Sequence, residues 1–344
     1  MDLQVTIDGR ALVGNRTGIG VHTAEIARRL DIDAPLIASH AEIADRSGLE
    51  RCRFRVDRMP VGVAWQQLVL PRIATEGVLW APHGTLPVAL RIPSVVTLHD
   101  FSSLTMPLRH RVKTVLSFNI FIGRSLQMAT RIAAVSDAVA GEAVRWFGVA
   151  RGRIEIVPNG VDEFFTPQRD SEKDADEDDY ILFAGTIEPR KGLGDLLAVW
   201  QSLPSPRPRL ILCGDAGWGD VPLPRGAEVT GYVDRARLRE LYRGARAFVY
   251  PSRYEGFGIP PLEAMACGTP VIATRTGAIP EYAEGAALLV SPNDRDALRE
   301  ALIRLLGDAA LRRELRVRGP ERARMYTWER SATLMTQLLA EAAR

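Results

Sequence analysis

Short apolar runs recur along the chain and alternate with longer segments whose apolar positions follow a helical period. In the first half the strand-like runs are "LQVTI", "GVLWA", "SVVTL", "RIAAV" and "RIEIV". Helical patterns lie between them, around residues 20–30, 62–74, 108–129 and 137–147. The polar, acidic stretch from Asp162 to Tyr180 breaks this rhythm; it has no apolar period, cannot bury a face and reads as a linker. The rhythm restarts with "YILFAG", "RLILCG", "AEVTGY", "AFVYPS" and "PVIAT", each followed by a Gly- or Pro-rich loop and then a helical segment. Strands alternating with helices predict parallel sheets covered by helices. The direct reading is two doubly wound α/β domains joined by an acidic linker. The last segment, "MYTWERSATLMTQLLAEAAR", reads as a separate amphipathic helix, because the Gly-Pro pair in "RVRGPERAR" interrupts the helix before it.

Composition narrows this picture. A chain of 344 residues is too long for one ordinary core and favours two domains. Hydrophobic residues at 46% and charged residues at 25% exclude a disordered or collagen-like chain. A net charge of +2 is too small to argue for nucleic acid. Cys52, Cys213 and Cys267 are odd in number and widely spaced, which points to a reducing compartment and no metal cluster. The N-terminus "MDLQVTIDGR" lacks the basic and apolar regions of a signal peptide, and no run approaches the ~18 apolar residues of a membrane span. A cytoplasmic protein is expected.

In doubly wound sheets ligands bind beyond the carboxyl ends of the strands, so the loops there carry the candidate chemistry. In "RYEGFGIPPLEAMACGTPVIA", residues 253–273, Gly256 and Gly258 free the backbone to turn N–H groups toward one point. Pro260 and Pro261 then fit the first turn of a helix. Backbone donors at a helix N-terminus suit an anion such as a diphosphate. Glu263, in the first turns, could accept from ribose hydroxyls, and Glu255 would face whatever lies beyond the phosphates. A tight turn whose glutamate complements the helix dipole is the plain alternative. In "FAGTIEPRKGLGDLLAVW", Arg190 and Lys191 stand at a strand's carboxyl end, just before a helix, and could neutralise a diphosphate. A solvated basic turn is the alternative there.

In "IDGRALVGNRTGIGVHTAEIARRL", Gly18-Ile19-Gly20 is a fragment of a dinucleotide fingerprint without its third glycine or its acidic partner, which argues against a nicotinamide cofactor. A second anion contact with Arg16 beside it, or a tight turn, remains. His99-Asp100 follows a strand directly, where site residues collect; His22, His83, His40 and His110 have weaker contexts. "DID" at 31–33 and "DAD" at 174–176 follow no convincing buried strand, so no metal is expected. There is no G-x-S-x-G elbow and no P-loop, which removes serine hydrolases and P-loop NTPases.

Together, "GTIEPRKG", "GYV" and "YPSRYEGFGIPPLEAMACGTPVIAT" resemble the donor domain of retaining glycosyltransferases of family 4, which have the GT-B fold. "DGRALVGNRTGIG", "TLHD" and "AVSDA…VPNGVD" resemble the acceptor domain of the same family. The resemblance implies two Rossmann-like domains facing across a cleft. These are an acceptor-side domain over residues 1–163, an acidic linker over 164–179 and a donor domain over 180–325. A C-terminal helix over 326–344 would cross back to the first domain. It places Glu255 on the donor sugar's hydroxyls, Glu263 on the ribose, and Arg190 and Lys191 on the diphosphate. Gly256, Phe257, Gly258 and Ile259 would meet phosphates and sugar through the backbone, Tyr232 and Val233 the base. Gly18 would lie beside the phosphates and His99 near the reacting sugar.

The implied activity is metal-independent transfer of a hexose from a nucleotide sugar to an acceptor hydroxyl with retention, without a cofactor. The "RTGIG" opening inclines the resemblance toward mannosyltransferases using GDP-mannose, in cell-surface polysaccharide or glycolipid synthesis. A sugar-nucleotide epimerase of the same fold and a non-catalytic nucleotide-sugar binding subunit are the rival readings. "RHRVKTVLSFNIFIGRSLQMATR" sets Arg109, Arg111, Lys113, Arg124 and Arg131 around an apolar helix. That fits peripheral contact with the inner membrane surface and a lipid-linked acceptor, and equally a core helix with basic ends.

Overall fold

The structure is a computed structural model that describes residues 3–14, 17–106, 112–168, 180–215, 217 and 225–344. Internal contacts divide the chain into two compact units. The first holds most of the chain up to Gly160 together with Trp328–Arg344, the second Val161–Thr327.

The first unit is built on seven strands: β1 (Val5–Asp8), β2 (Leu36–Ser39), β3 (Arg53–Val56), β4 (Val78–Ala81), β5 (Ser94–Leu98), β6 (Arg131–Ala134) and β7 (Ile154–Ile156). Their spatial order is β3-β2-β1-β4-β5-β6-β7, with every pairing parallel. The second unit has β8 (Tyr180–Ala184), β9 (Arg209–Cys213), β10 (Ala227–Gly231), β11 (Ala247–Tyr250), β12 (Val271–Thr274) and β13 (Leu288–Val290). Their order is β10-β9-β8-β11-β12-β13, again parallel throughout. Central strands β4, β5, β8, β11 and β12 are buried at every residue, as continuous apolar runs covered on both faces must be.

Three strands differ from the sequence reading, which did not anticipate β2, β3 or β13. Edge strand β3, "RFRV", alternates between exposed and half-buried positions, and β13 is only three residues long. A second correction concerns Gly319-Pro320, which does not interrupt the penultimate helix but lies inside it, within Ala309–Ala323. Tertiary packing outweighs the missing proline N–H. Gly319 sits so close to the helix Ile259–Ala266 that an added Cβ would stand 3.1 Å from Met265 O. Arg322 donates to Tyr282 O at 3.0 Å and Glu281 O at 2.9 Å, fixing that helix end.

The helix Trp328–Ala342 packs within the first unit, against the helix Gly18–Ala27 and strands β4, β5 and β6. It buries Trp328, Ser331, Ala332, Met335, Leu338, Leu339 and Ala342, an apolar stripe with helical spacing. Ser331 Oγ donates to Pro158 O at 2.6 Å, and Arg29 pairs with Glu329 at 2.5 Å. Arg16, His110, Arg109, Arg111, the "DAD" at 174–176 and the linker from residue 169 to 179 lie outside the described residues, as does the side chain of Lys113.

Strand order reverses between β8 and β11 in the second unit, and between β1 and β4 in the first. Chains leaving two such neighbours turn opposite ways and leave a crevice at their carboxyl ends. In the second unit this brings the loop after β8 against the loop after β11. The contact is so close that a Cβ on Gly192 would stand 2.0 Å from Pro251 O, and Gly192 has φ +67°. Gly192→Ala therefore combines a backbone clash with left-handed strain. It is expected to cost about 2–4 kcal/mol in denaturant unfolding, whereas a loss under ~0.5 kcal/mol would show that the two loops yield easily.

Candidate functional site

The crevice of the second unit is organised by a buried ion pair. Lys191 ends a short 3-10 turn after β8, Pro189–Lys191, and its Nζ lies 2.6 Å from Glu255 Oε1, in the loop after β11. Both side chains are about one-tenth exposed, so the basic pair at 190–191 is not a solvated turn. Glu255 Oε1 also accepts from Ser252 Oγ at 2.6 Å and Tyr250 OH at 3.0 Å, and Lys191 Nζ donates to Tyr250 OH at 2.7 Å. Arg190 Nη1 stands 3.6 Å from the other oxygen, Oε2, while donating to Tyr254 O at 3.0 Å; its Nη2 pairs with Glu188 at 2.7 Å.

Burial alone would push the Glu255 carboxyl up. The charges of Lys191 and Arg190 and the bonds from Lys191 and Ser252 outweigh it and hold the group at about 2. Burial and Arg190 pull Lys191 below the ordinary lysine value, against the attraction of Glu255. Glu255 is thus a fixed carboxylate with one crowded oxygen and one less crowded.

The backbone of this loop is braced from both sides. Arg253 N donates to Arg190 O at 2.9 Å, and its guanidinium pairs with Asp195 at 2.8 Å, which Arg295 holds at 2.5 Å. Ala278 N donates to Gly256 O at 3.1 Å, and Tyr282 OH to Gly258 O at 2.7 Å. Phe257 is buried against Tyr282 and Tyr326, so its side chain anchors the loop and only its backbone is left for a ligand. Gly258, with φ +82°, is the N-cap of the helix Ile259–Ala266. Prolines at 260 and 261 take the place of two of the four orphan N–H groups of that end, which leaves donors at Gly258 and Ile259.

Glu263 stands in a different environment. It is half-buried and accepts from Tyr242 OH at 3.0 Å. Burial pushes its carboxyl up to about 7, against the Tyr242 bond and the charge of Arg235. Tyr232, 74% exposed, and Val233 follow the end of β10, and Tyr232 N donates to Asp215 Oδ1 at 3.1 Å.

The first unit carries its own polar cluster where β1 and β4 part. Asp8 is fully buried beneath Arg10, whose Nε and Nη2 reach it at 2.9 and 2.7 Å, and Gln66 Nε2 adds a bond at 3.2 Å. Burial pushes the Asp8 carboxyl up, but Arg10 holds it below the ordinary value. His22 and His99 meet edge to face at 4.6 Å, and the His22 ring bonds Asn159 Oδ1 at 2.7 Å. Burial drives His99 well below the ordinary histidine value, helped by His22 and His83, and takes His22 to about 4. His99 is therefore a neutral ring whose Nε2 is buried and finds no partner among the described residues. Asp100 is occupied by its own turn, accepting from Ser102 N at 2.8 Å and Ser102 Oγ at 2.6 Å. Gly18 opens the helix Gly18–Ala27 in open space, with nothing within 4 Å of an added Cβ.

Sequence reasoning brought out Lys191, Arg190, Glu255 and Glu263 but missed Tyr250, Ser252 and Tyr242, which hold those charges, and the Asp8–Arg10 pair. Only Asp8 left a readable signal, as an acidic side chain closing an apolar strand. Asp31 and Asp33 are exposed in a loop. Among the described residues no cluster of His, Cys, Asp or Glu could hold a metal ion.

Comparison with known proteins bears on the family and the fold. Residues 164–322 match the family described as glycosyl transferases group 1, and residues 73–163 match glycosyltransferase family 4. O-antigen chain mannosyltransferase B of Escherichia coli is 31% identical, covering 92% of this chain and 94% of its own. Sucrose-phosphate synthase of Thermosynechococcus elongatus superposes with a TM-score of 0.80 at 21% identity, over 99% of both chains. Anabaena Alr3699/HepE, solved with UDP and glucose, superposes with a TM-score of 0.75 at 21% identity over 98% of both chains. Similarity of this extent, along nearly the whole length, means that the chain belongs to the glycosyl transferases group 1 family and is a hexosyltransferase with the GT-B fold.

Proposed function

We propose that the protein moves a hexose, mannose from GDP-mannose, to an acceptor hydroxyl with retention at the anomeric carbon. Its place would be cell-surface polysaccharide or glycolipid synthesis. The buried Lys191–Glu255 pair at the strand-order reversal of the second unit carries this reading. A nucleoside diphosphate needs cations on its leaving side, and a hexose needs a fixed acceptor for its hydroxyls; here one side chain of each kind is locked to the other. The E. coli relative, named for mannose transfer to O-antigen, supports the choice of sugar and pathway.

In this reading the bond from the anomeric carbon to the diphosphate breaks while the acceptor oxygen bonds to the same face. The acceptor's proton passes to the departing phosphate oxygen. Lys191 has committed two of its three Nζ protons, to Glu255 and Tyr250, which leaves one for the phosphate. Arg190 adds a second positive charge, and the N–H groups of Gly256, Phe257, Gly258 and Ile259 add dipoles. Glu255 offers Oε2 to the sugar, since Oε1 already has three donors. Glu263 takes the ribose hydroxyls, and Tyr232 and Val233 meet the base. The same reading assigns Gly18 to the phosphates and His99 to the transferred sugar. The acceptor is a carbohydrate or a lipid-linked one, and the helix Val112–Met128 would rest on the cytoplasmic membrane surface. Among the described residues no helix is long and apolar enough to cross a membrane.

Since protein groups neutralise the leaving diphosphate, transfer should persist in EDTA. An absolute need for added Mg²⁺ or Mn²⁺ would overturn this account of the site.

Lys191→Ala should lower kcat by about 10²-fold or more. It should also destabilise the fold by about 2–3 kcal/mol at neutral pH, because it leaves the buried Glu255 charge with Arg190, at 3.6 Å, as its facing cation beside the neutral donors Ser252 and Tyr250. The sign follows from the Glu255 carboxyl, held at about 2 against an ordinary 4.5. Its contribution is present above pH 4.5 and disappears as pH falls toward 2, so the two proteins should converge in stability in strong acid. Near-normal turnover and melting in the variant would reduce the pair to an ornament of the turn.

The two glutamates should separate in calorimetric titration with GDP. Glu263→Gln is expected to weaken GDP and GDP-mannose alike by about tenfold or more. Glu255→Gln should leave GDP affinity nearly unchanged while turnover falls. Equal loss of bare GDP in both variants would mean that the carboxylates support the loop rather than read the donor.

A further inference from the structure

Tyr242 plays no part in the activity as described so far, yet its hydroxyl reaches one of the two glutamates of the donor site. It lies on the helix Arg235–Gly244 and is fully buried. Its ring is wedged between Phe165 and Phe248, with centroids at 5.9 and 5.4 Å, both edge to face. Its carbonyl accepts from Thr269 Oγ1 at 2.6 Å. A ring held on two sides, with its backbone pinned, leaves the hydroxyl one place to point. That place is Glu263 Oε2, at 3.0 Å.

We propose that Tyr242 is a positioning residue of the donor site, whose hydroxyl aims the Glu263 carboxylate so that its second oxygen faces the ribose. The inference rests on the ribose role proposed above for Glu263. A carboxylate on a flexible side chain accepts two ribose hydroxyls well only if its plane is set beforehand. Among the described residues no other hydrogen bond reaches that carboxylate, so Tyr242 alone sets the plane.

The groups around Glu263 give the arrangement a pH signature. Tyr242 and Arg235 face it from one helix, and Arg235 is paired with Asp162 at 2.9 Å. Asp162 lies within range of Glu263, as do Cys267 on its own helix and Cys213 at the end of β9. Burial raises the Tyr242 phenol well above its ordinary value, so it stays a donor throughout the neutral range. Glu263, pushed up to about 7 by burial, is the group that changes charge. Ribose hydroxyls donate and therefore favour the charged form, so nucleotide affinity should rise as pH rises through about 7. Removing the tyrosine hydroxyl withdraws a donor that favours the carboxylate, and the midpoint of that rise should move to higher pH.

The test is calorimetric titration of the full chain with GDP, and with UDP in parallel, between about pH 6 and about pH 9. Wild type, Tyr242→Phe, Glu263→Gln and the double variant are compared, so that the ligand's own ionisation cancels. Tyr242→Phe keeps the ring and its packing, and its melting temperature reports whether the fold is intact. The expected loss of affinity is roughly twofold to tenfold near neutral pH, shrinking as pH rises, with the midpoint displaced upward. In the Glu263→Gln background Tyr242→Phe should cost nothing more, and the rise with pH should vanish. A loss that is the same at every pH, or that adds to the loss in the Gln background, would make Tyr242 a packing residue and overturn the proposal. An inert Tyr242→Phe beside a damaging Glu263→Gln overturns it while sparing the ribose reading. A harmless Glu263→Gln, or no binding of either nucleotide, takes down both.

Discussion

The second unit depends on one contact, the 2.6 Å ion pair between Lys191 and Glu255, whose partners stand 64 residues apart in the chain. Two charges taken out of water are expensive unless their geometry is good and their remaining bonds are filled. Tyr250, Ser252 and Arg190 do that filling, and Asp195 with Arg253 brace the loops from the opposite side. Much of the loop chemistry follows from this requirement. The loop after β8 and the loop after β11 have to meet closely enough for the pair to form, which is why Gly192 lies where no Cβ fits.

The two glutamates of one short motif are held in opposite electrostatic states. Glu255 faces two cations and lies far below the ordinary carboxylate range, whereas Glu263 faces a phenol and burial, and titrates near neutrality. Eight positions apart, they belong to one helix–loop unit but to different polar networks. In the proposed reading, two chemically similar sets of hydroxyls thus meet one permanently charged group and one adjustable group.

Much of this could be read in the chain, for physical reasons that also explain the misses. Central strands such as "SVVTL" and "YILFA" are buried on both faces, so their apolar runs stand out. β3 is half-exposed, and its "RFRV" resembles any charged turn until β2 pairs with it. Glycines and prolines marked the loop after β11, because backbone demands are local. The burial of Lys191 was not legible, since it depends on a partner supplied by another loop. Tyr242 and Tyr250 read as ordinary core aromatics, because nothing in a sequence shows where a buried hydroxyl points. Pro320 misled because its cost is local while the packing of Gly319 on Met265 that holds the helix together is not.

The helix Trp328–Ala342 has a consequence for how the molecule comes into being. It supplies the first unit with buried Trp328, Met335, Leu338 and Leu339, and it covers three of that unit's strands. During synthesis the strands of the first unit emerge before Val161–Thr327, and this wall follows only after that second unit. The unit begun first is therefore finished last. Until the helix arrives, the apolar face it covers is left open, and a first unit lacking Trp328–Ala342 should be prone to aggregate.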